Sequence, residues 1–409
     1  MVLRVLLLFI TYCLIHTPIA LANTDSPLKA AFIRDKQLWM LEGNKEQQLT
    51  TDQYVRSPKW SRDGRFIAYI DSDENGEKSN LWVYDTQTQK NYQPYETIET
   101  RDFQWSPISN QIAYNSRGIL NVTKIMNGLP MGFENVVLGV SDFVWMPSGE
   151  GFIVSSQADL LPTGWGPIPL FKVPIDAKLD GSKVKPFYTI ETDKDLFAID
   201  ANYFKWSEDN RWLSFLAIPT ASWANDSNTL CVLSSKGDQF QVIGNMLWYS
   251  DWFKWAPKEN KLAYISGEGR FLVTDKKTKI ADIPISSQQK EYTPKGYVDL
   301  DLDWFSENEV IVARAVENKE WDEGPVPTMH TSLYVINIIS GEQRQITFPA
   351  NEEYDRSPQA IQQYVTWVRK DEASNNVLIK EGLEGKEKIW LRGVDEVPEI
   401  FESKNKNLD

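Results

Sequence analysis

A tryptophan recurs at Trp60, Trp105, Trp145, Trp206, Trp255 and Trp304, and an apolar residue stands seven positions after each: Ile67, Ile112, Phe152, Leu213, Leu262 and Ile311. Two positions further come Tyr69, Tyr114, Val154, Phe215, Tyr264 and Ala313. That step of two is the spacing of side chains on one face of a strand. A unit of about 40 to 60 residues built from short strands and repeated along the chain is the signature of a β-propeller, whose four-stranded sheets bury their faces only against neighbouring sheets. The fold class is therefore all-β, and an unbroken repeat with no Pro/Ser-rich linker predicts one large domain over residues 23–402.

Within each unit a Phe-x-Trp strand turns at a polar step such as Ser61-Arg62-Asp63-Gly64 and returns as Phe66-Ile67-Ala68-Tyr69, which predicts a hairpin. A third strand is expected at Leu81-Trp82-Val83-Tyr84-Asp85, Phe271-Leu272-Val273-Thr274-Asp275 and Leu333-Tyr334-Val335-Ile336-Asn337, and a weaker fourth strand near residues 343–347. Further strand patterns lie at residues 30–50, at Tyr364-Val365-Thr366-Trp367, and at 377–380, 388–391 and 399–401. The simplest arrangement is seven blades, with the N-terminal strands completing the sheet begun near Trp367; six or eight blades are the alternatives.

The stretch Ser57-Pro58-Lys59-Trp60-Ser61-Arg62-Asp63-Gly64, followed by Asn80-Leu81-Trp82-Val83-Tyr84-Asp85, resembles the repeat of TolB-like, WD40-like (PD40) propellers. The resemblance spans roughly residues 30–400. It implies a propeller used as an envelope scaffold, as a peptidase gating domain or as a secreted protein of other purpose. Strands begin within ten residues of the expected cleavage site, which argues against the preceding α/β domain of a Tol-complex protein. No Gly-x-Ser-x-Gly elbow occurs in the chain, and a Ser/His/Asp set could draw only on His330 once the leader is removed.

The leader itself is read from Arg4, the apolar run 5–15 and the small-x-small step Ala20-Leu21-Ala22, so residues 1–22 are expected to be a cleaved signal peptide and the protein to be exported, to the periplasm, cell wall or exterior. No other segment is long and apolar enough for a transmembrane span, and residues 403–409 are expected to be a frayed polar tail. Cys13 falls within the leader behind bulky Tyr12, a poor context for lipidation; Cys231, in an apolar strand, reads as an inert buried thiol that has no disulfide partner. The net charge of −14 repels phosphate backbones and anionic lipid, which disfavours nucleic acid and membrane surfaces and leaves basic proteins, cations or neutral glycans as partners. A closed ring needs no second copy to fold, so a monomer is expected.

Candidate site residues lie in loops. Three long connections between second and third strands, at residues 161–169, 219–226 and 320–327, each carry a tryptophan outside the core register: Trp165, Trp223 and Trp321, the last followed by Asp322 and Glu323. Asp102, Asp142 and Asp301 stand three positions before a repeat tryptophan, with Asp251, Asp299 and Asp303 close by. Aromatic and acidic groups on one rim suit stacking on sugars or capture of a basic protein segment. They also suit plain structural duty, covering strand edges and fixing turns. Asp71, Asp73 and Asn75 have the opening spacing of a calcium loop, but the twelfth position is Trp82 and Asn75-Gly76 is a preferred turn, so no metal and no cofactor are expected. The resulting expectation is a non-catalytic binding scaffold for a protein or glycan. A glycan- or lactone-acting enzyme using carboxylates such as Asp301, Asp322 or Glu323 is the alternative, and a detached gating module is a third.

Overall fold

The computed structural model describes residues 28–73, 79–95, 98, 100, 102–193, 195–286 and 288–402. The expected signal peptide and polar tail lie outside these residues. Eight antiparallel sheets of four strands form the ring. Blades 1 to 7 follow chain order, their innermost strands being Val55–Trp60, Phe103–Trp105, Asp142–Trp145, Asp200–Trp206, Phe253–Trp255, Tyr297–Ser306 and Tyr354–Ile361. Blade 8 joins the two ends: Glu399–Glu402 is its innermost strand and pairs with Leu28–Arg34, beyond which lie Gln37–Glu42 and Lys45–Gln48.

The seven-residue spacing is the hairpin register itself. Trp60 pairs with Ile67, Trp105 with Ile112, Trp145 with Phe152, Trp206 with Leu213 and Trp255 with Leu262. In blade 6 a bulge between Trp304 and Ser306 moves the pairing by one, so that Ile311 faces Asp303. Each repeat indole then reaches backward. The N–H groups of Trp60, Trp105, Trp145, Trp206, Trp255 and Trp304 donate to the carbonyls of Glu399, Lys59, Gln104, Trp145, Lys205 and Lys254, at 3.2, 2.9, 3.3, 2.8, 3.1 and 2.9 Å. Every acceptor lies on the innermost strand of the preceding blade.

Two sequence expectations change. The sheet containing Trp367 is complete in itself, and the N-terminal strands close on Glu399–Glu402 instead, giving eight blades in place of seven. The extra blade escaped the tryptophan rule because Ser357-Pro358-Gln359-Ala360 repeats Ser57-Pro58-Lys59-Trp60 with alanine at the diagnostic position, and Ile400 holds it in blade 8. In blade 5 the third strand is Lys277–Asp282 rather than residues 271–275, so the preceding connection is long; residues 271–275 tuck Val273 into the core beneath it.

Ring closure is packed as well as hydrogen-bonded. The Phe401 ring lies 5.5 Å from that of Trp60, and a Cβ at Gly64, where φ is +69°, would overlap it. Between blades 5 and 6, fully buried Asp299 accepts two bonds from the Arg314 guanidinium, at 2.6 and 2.9 Å, and the hydroxyl protons of Thr278 and Thr293. With all four donors in place the charge is compensated; removing the guanidinium leaves a bare buried carboxylate. Arg314→Leu is expected to cost about 3–5 kcal/mol in urea unfolding, whereas replacing the exposed Arg270 by leucine should leave the urea midpoint close to the native one.

Candidate functional site

All innermost strands start, and all second strands end, on one face of the ring, the top face. The loops predicted to share a rim therefore do so. Within it, Trp165 is half-buried against the core between blades 3 and 4, and Trp321 is half-buried, its N–H donating to the Pro325 carbonyl at 3.1 Å and its ring edge-on to Phe271 at 4.7 Å. Trp223 alone of the three is exposed, at 61%, and sits edge-on to Phe197. Asp322 and Glu323 are exposed beside Trp321. Among the described residues no ring contact joins the three tryptophans.

The aspartates serve the ring. Innermost strands of blades 1, 4 and 7 carry a bulge whose first residue has positive φ: Ser57 (52°), Tyr203 (62°) and Ser357 (51°). The amide freed by each bulge donates to a carboxylate of the preceding blade, to Glu396 at 2.9 Å, Asp142 at 2.7 Å and Asp301 at 3.1 Å. A backbone N–H turned out of the ladder must find an acceptor, and these three carboxylates provide it. Asp102 accepts from Phe103 N–H and from Lys59 Nζ at 2.8 and 2.9 Å; Asp303 accepts from the Ala360 amide and pairs with Lys254 at 3.1 Å.

Sequence reasoning missed the residue just before each tryptophan. Lys59, Gln104, Lys205 and Lys254 reach forward to the next blade, as the indoles reach backward. Lys205 Nζ donates to the carbonyls of Ser250 and Phe253 at 2.6 and 3.0 Å, and Gln104 to that of Phe143 at 2.7 Å. The signal was available: a lysine stands immediately before the tryptophan in three of the six units. Burial lowers the Lys205 pKa to about 8.

At the centre of the top face these groups border a cavity of about 300 Å³ walled by Lys59, Asp251, Lys254, Gln359, Glu396 and Glu399, with Pro58, Pro358 and Pro398 between them. Asp251 is exposed, on a short 3-10 turn leading into Phe253–Trp255. Burial raises the pKa of Asp301, Glu396 and Glu399. Asp71 accepts from the Tyr54 amide at 3.3 Å, Asn75 lies outside the described residues, and among those described no His, Cys, Asp or Glu cluster could hold a metal ion. Cys231 is buried, its thiol pKa pushed up by desolvation.

No protein-family model matches the chain. An uncharacterized peptidase of Bacillus subtilis (strain 168), YuxL, is 31% identical over 112 residues, 25% of this chain and 17% of that protein. A puromycin-hydrolyzing peptidase of Mycobacterium tuberculosis matches with a TM-score of 0.52 at 12% identity, over 85% of this chain and 54% of its own. The dihydro-heme d1 dehydrogenase NirN matches with a TM-score of 0.59 at 12% identity, over 92% of this chain and 75% of its own. At such identities the structural likeness is one of fold, and this chain spans about half of the puromycin-hydrolyzing peptidase and less of YuxL. The comparisons overturn the expectation of a non-catalytic scaffold and of no enzymatic role: the proteins matched are enzymes, two of them peptidases.

Asp142 gives the inter-blade contact a pH signature. Burial raises its pKa from 3.8 to about 7, so the folded protein holds this proton more tightly than the unfolded chain does. Through this group stability is greatest below pH 3.8, falls as pH rises to about 7, and is level above. Asp142→Asn should flatten that segment of the curve of urea midpoint against pH; an unchanged slope would mean that Asp142 titrates as it does in water.

Proposed function

We propose that this chain handles peptides, as the propeller of a peptide-hydrolysing enzyme, and that the channel mouth on the top face receives an extended peptide. The observation that carries this reading is the cavity at the ring's centre, about 300 Å³ in volume, in a fold whose matched proteins include peptidases. Its size suits an extended segment and is far too small for a folded domain. Its chemistry suits a peptide as well: the ammonium groups of Lys59 and Lys254, set against Asp251 and Glu399, give complementary sites for carbonyls, amides and charged ends. The proline rings between them add apolar wall that offers no N–H donor. The motif from Ser57 to Asp85 supports a kinship of the repeats with the TolB-like group, and the apolar leader supports export.

Cleavage of the serine-peptidase type needs a base within hydrogen-bond reach of a nucleophile. His330, the sole histidine among the described residues, sits edge-on to Tyr354 at 6.0 Å. This reading assigns reception of the peptide to the mouth and assigns the cleaving groups to no residue described here.

Unstructured fluorescent peptides of about ten residues, titrated into the protein, are expected to bind saturably. Lys59→Met with Lys254→Met should weaken binding by about fivefold or more, and Lys236→Met on the outside should not. Absence of saturable binding by any of these peptides, or equal binding by the double variant, would contradict the proposal.

A further inference from the structure

The ninth-position tyrosines Tyr69, Tyr114 and Tyr264 occupy one register place in blades 1, 2 and 5, and each is buried. Two of the three phenols are plugged by a side-chain amide. The Tyr69 hydroxyl donates to Asn91 Oδ1 at 3.1 Å, and that of Tyr264 to Gln289 Oε1, with the Ile243 carbonyl at 3.4 Å. Tyr114 is only 3% exposed, yet among the described residues its hydroxyl has no hydrogen-bond partner. It opens instead onto a cavity of about 410 Å³ between blades 1 and 2.

The cavity has a polar floor and an apolar rim. In the sheet of blade 2, Asn121 stands opposite Tyr114 on one side and Asn135 on the other, so the three form a row across adjacent strands. Above the row, Ile98 and the rings of Tyr95 and Phe133, edge-on at 4.8 Å, form the walls, and Tyr95 is half exposed. Arg117 is the one charged residue of the lining, and it has a partner of its own. Unlike the other two, the Tyr114 hydroxyl is left to solvent in the notch, and blades 1 and 5 show which group can take the solvent's place: an amide.

We propose that this notch is a binding site for a small neutral ligand that presents an amide or carbonyl oxygen to Tyr114 and an apolar or aromatic body to Tyr95, Ile98 and Phe133. The site is separate from the channel mouth and stands whether or not the mouth receives peptides. Its volume falls in the range of ordinary small-molecule pockets.

Calorimetric titration of the full chain with N-acetyl-L-phenylalaninamide, and with N-acetyl-L-alaninamide as the probe lacking the aromatic body, tests it. The first should bind saturably below about 10 mM and the second at least about fivefold more weakly. Tyr114→Phe removes the hydroxyl alone: it should weaken the first probe by about five- to tenfold while leaving the melting temperature unchanged or raised. Tyr69→Phe, which loses a satisfied bond, should lower the melting temperature and leave probe binding intact. Absence of saturable binding by native protein, or equal binding by Tyr114→Phe, would overturn the proposal and leave the notch a solvent-filled gap.

Discussion

The structure depends on one hand-off repeated around the ring: an indole N–H given to a backbone carbonyl of the blade before. A four-stranded sheet cannot bury both faces alone, so a propeller stands or falls on what fixes one sheet against the next. Tryptophan suits that duty because it brings a large apolar body to the interface and a single donor to its far edge. The residue preceding it points the other way, and Lys59, Gln104 and Lys205 donate to carbonyls of the following blade. Backward and forward bonds on consecutive residues hold the innermost strands at a common height, and a central cavity with fixed walls follows from that.

Carboxylates add a second kind of inter-blade bond, beside the indole or in its place. Between blades 6 and 7, Asp301 and Asp303 accept the amides of Ser357 and Ala360, and between blades 8 and 1 Glu396 accepts that of Ser57 beside the Trp60 bond. Burial lifts the pKa of Asp142, Asp301 and Glu396, and the backbone N–H groups that donate to them offset part of that rise.

Much of the architecture was legible because the seven-residue spacing is a hairpin register, and register is what hydrophobic alternation encodes. Blade 7 was harder: alanine replaces tryptophan at position 360, and only the echo of Tyr54-x-Arg56-Ser57-Pro58 in Tyr354-x-Arg356-Ser357-Pro358 marks it. The site was legible in part. That the three loops share a face, and that aspartates stand at the strand starts on it, could be named from loop length and position. Their duty could not, because a bulge that frees a backbone amide leaves no compositional trace and its acceptor lies some 60 residues away in the chain, as Asp142 does from Tyr203. The open phenol of Tyr114 is invisible for the same reason: its difference from Tyr69 and Tyr264 is the absence of a partner contributed by another segment.

A small, charged, proline-edged mouth at the ring's centre carries the proposal, whose central claim is that an extended peptide is received there. Photo-crosslinking tests this most directly: an unstructured peptide carrying a benzophenone side chain, irradiated with the protein and mapped by mass spectrometry of the digest. The account predicts adducts concentrated at residues 57–59, 251–254, 357–359 and 396–399. Adducts confined to the outer strands or to the opposite face, with the mouth unlabelled, would contradict it.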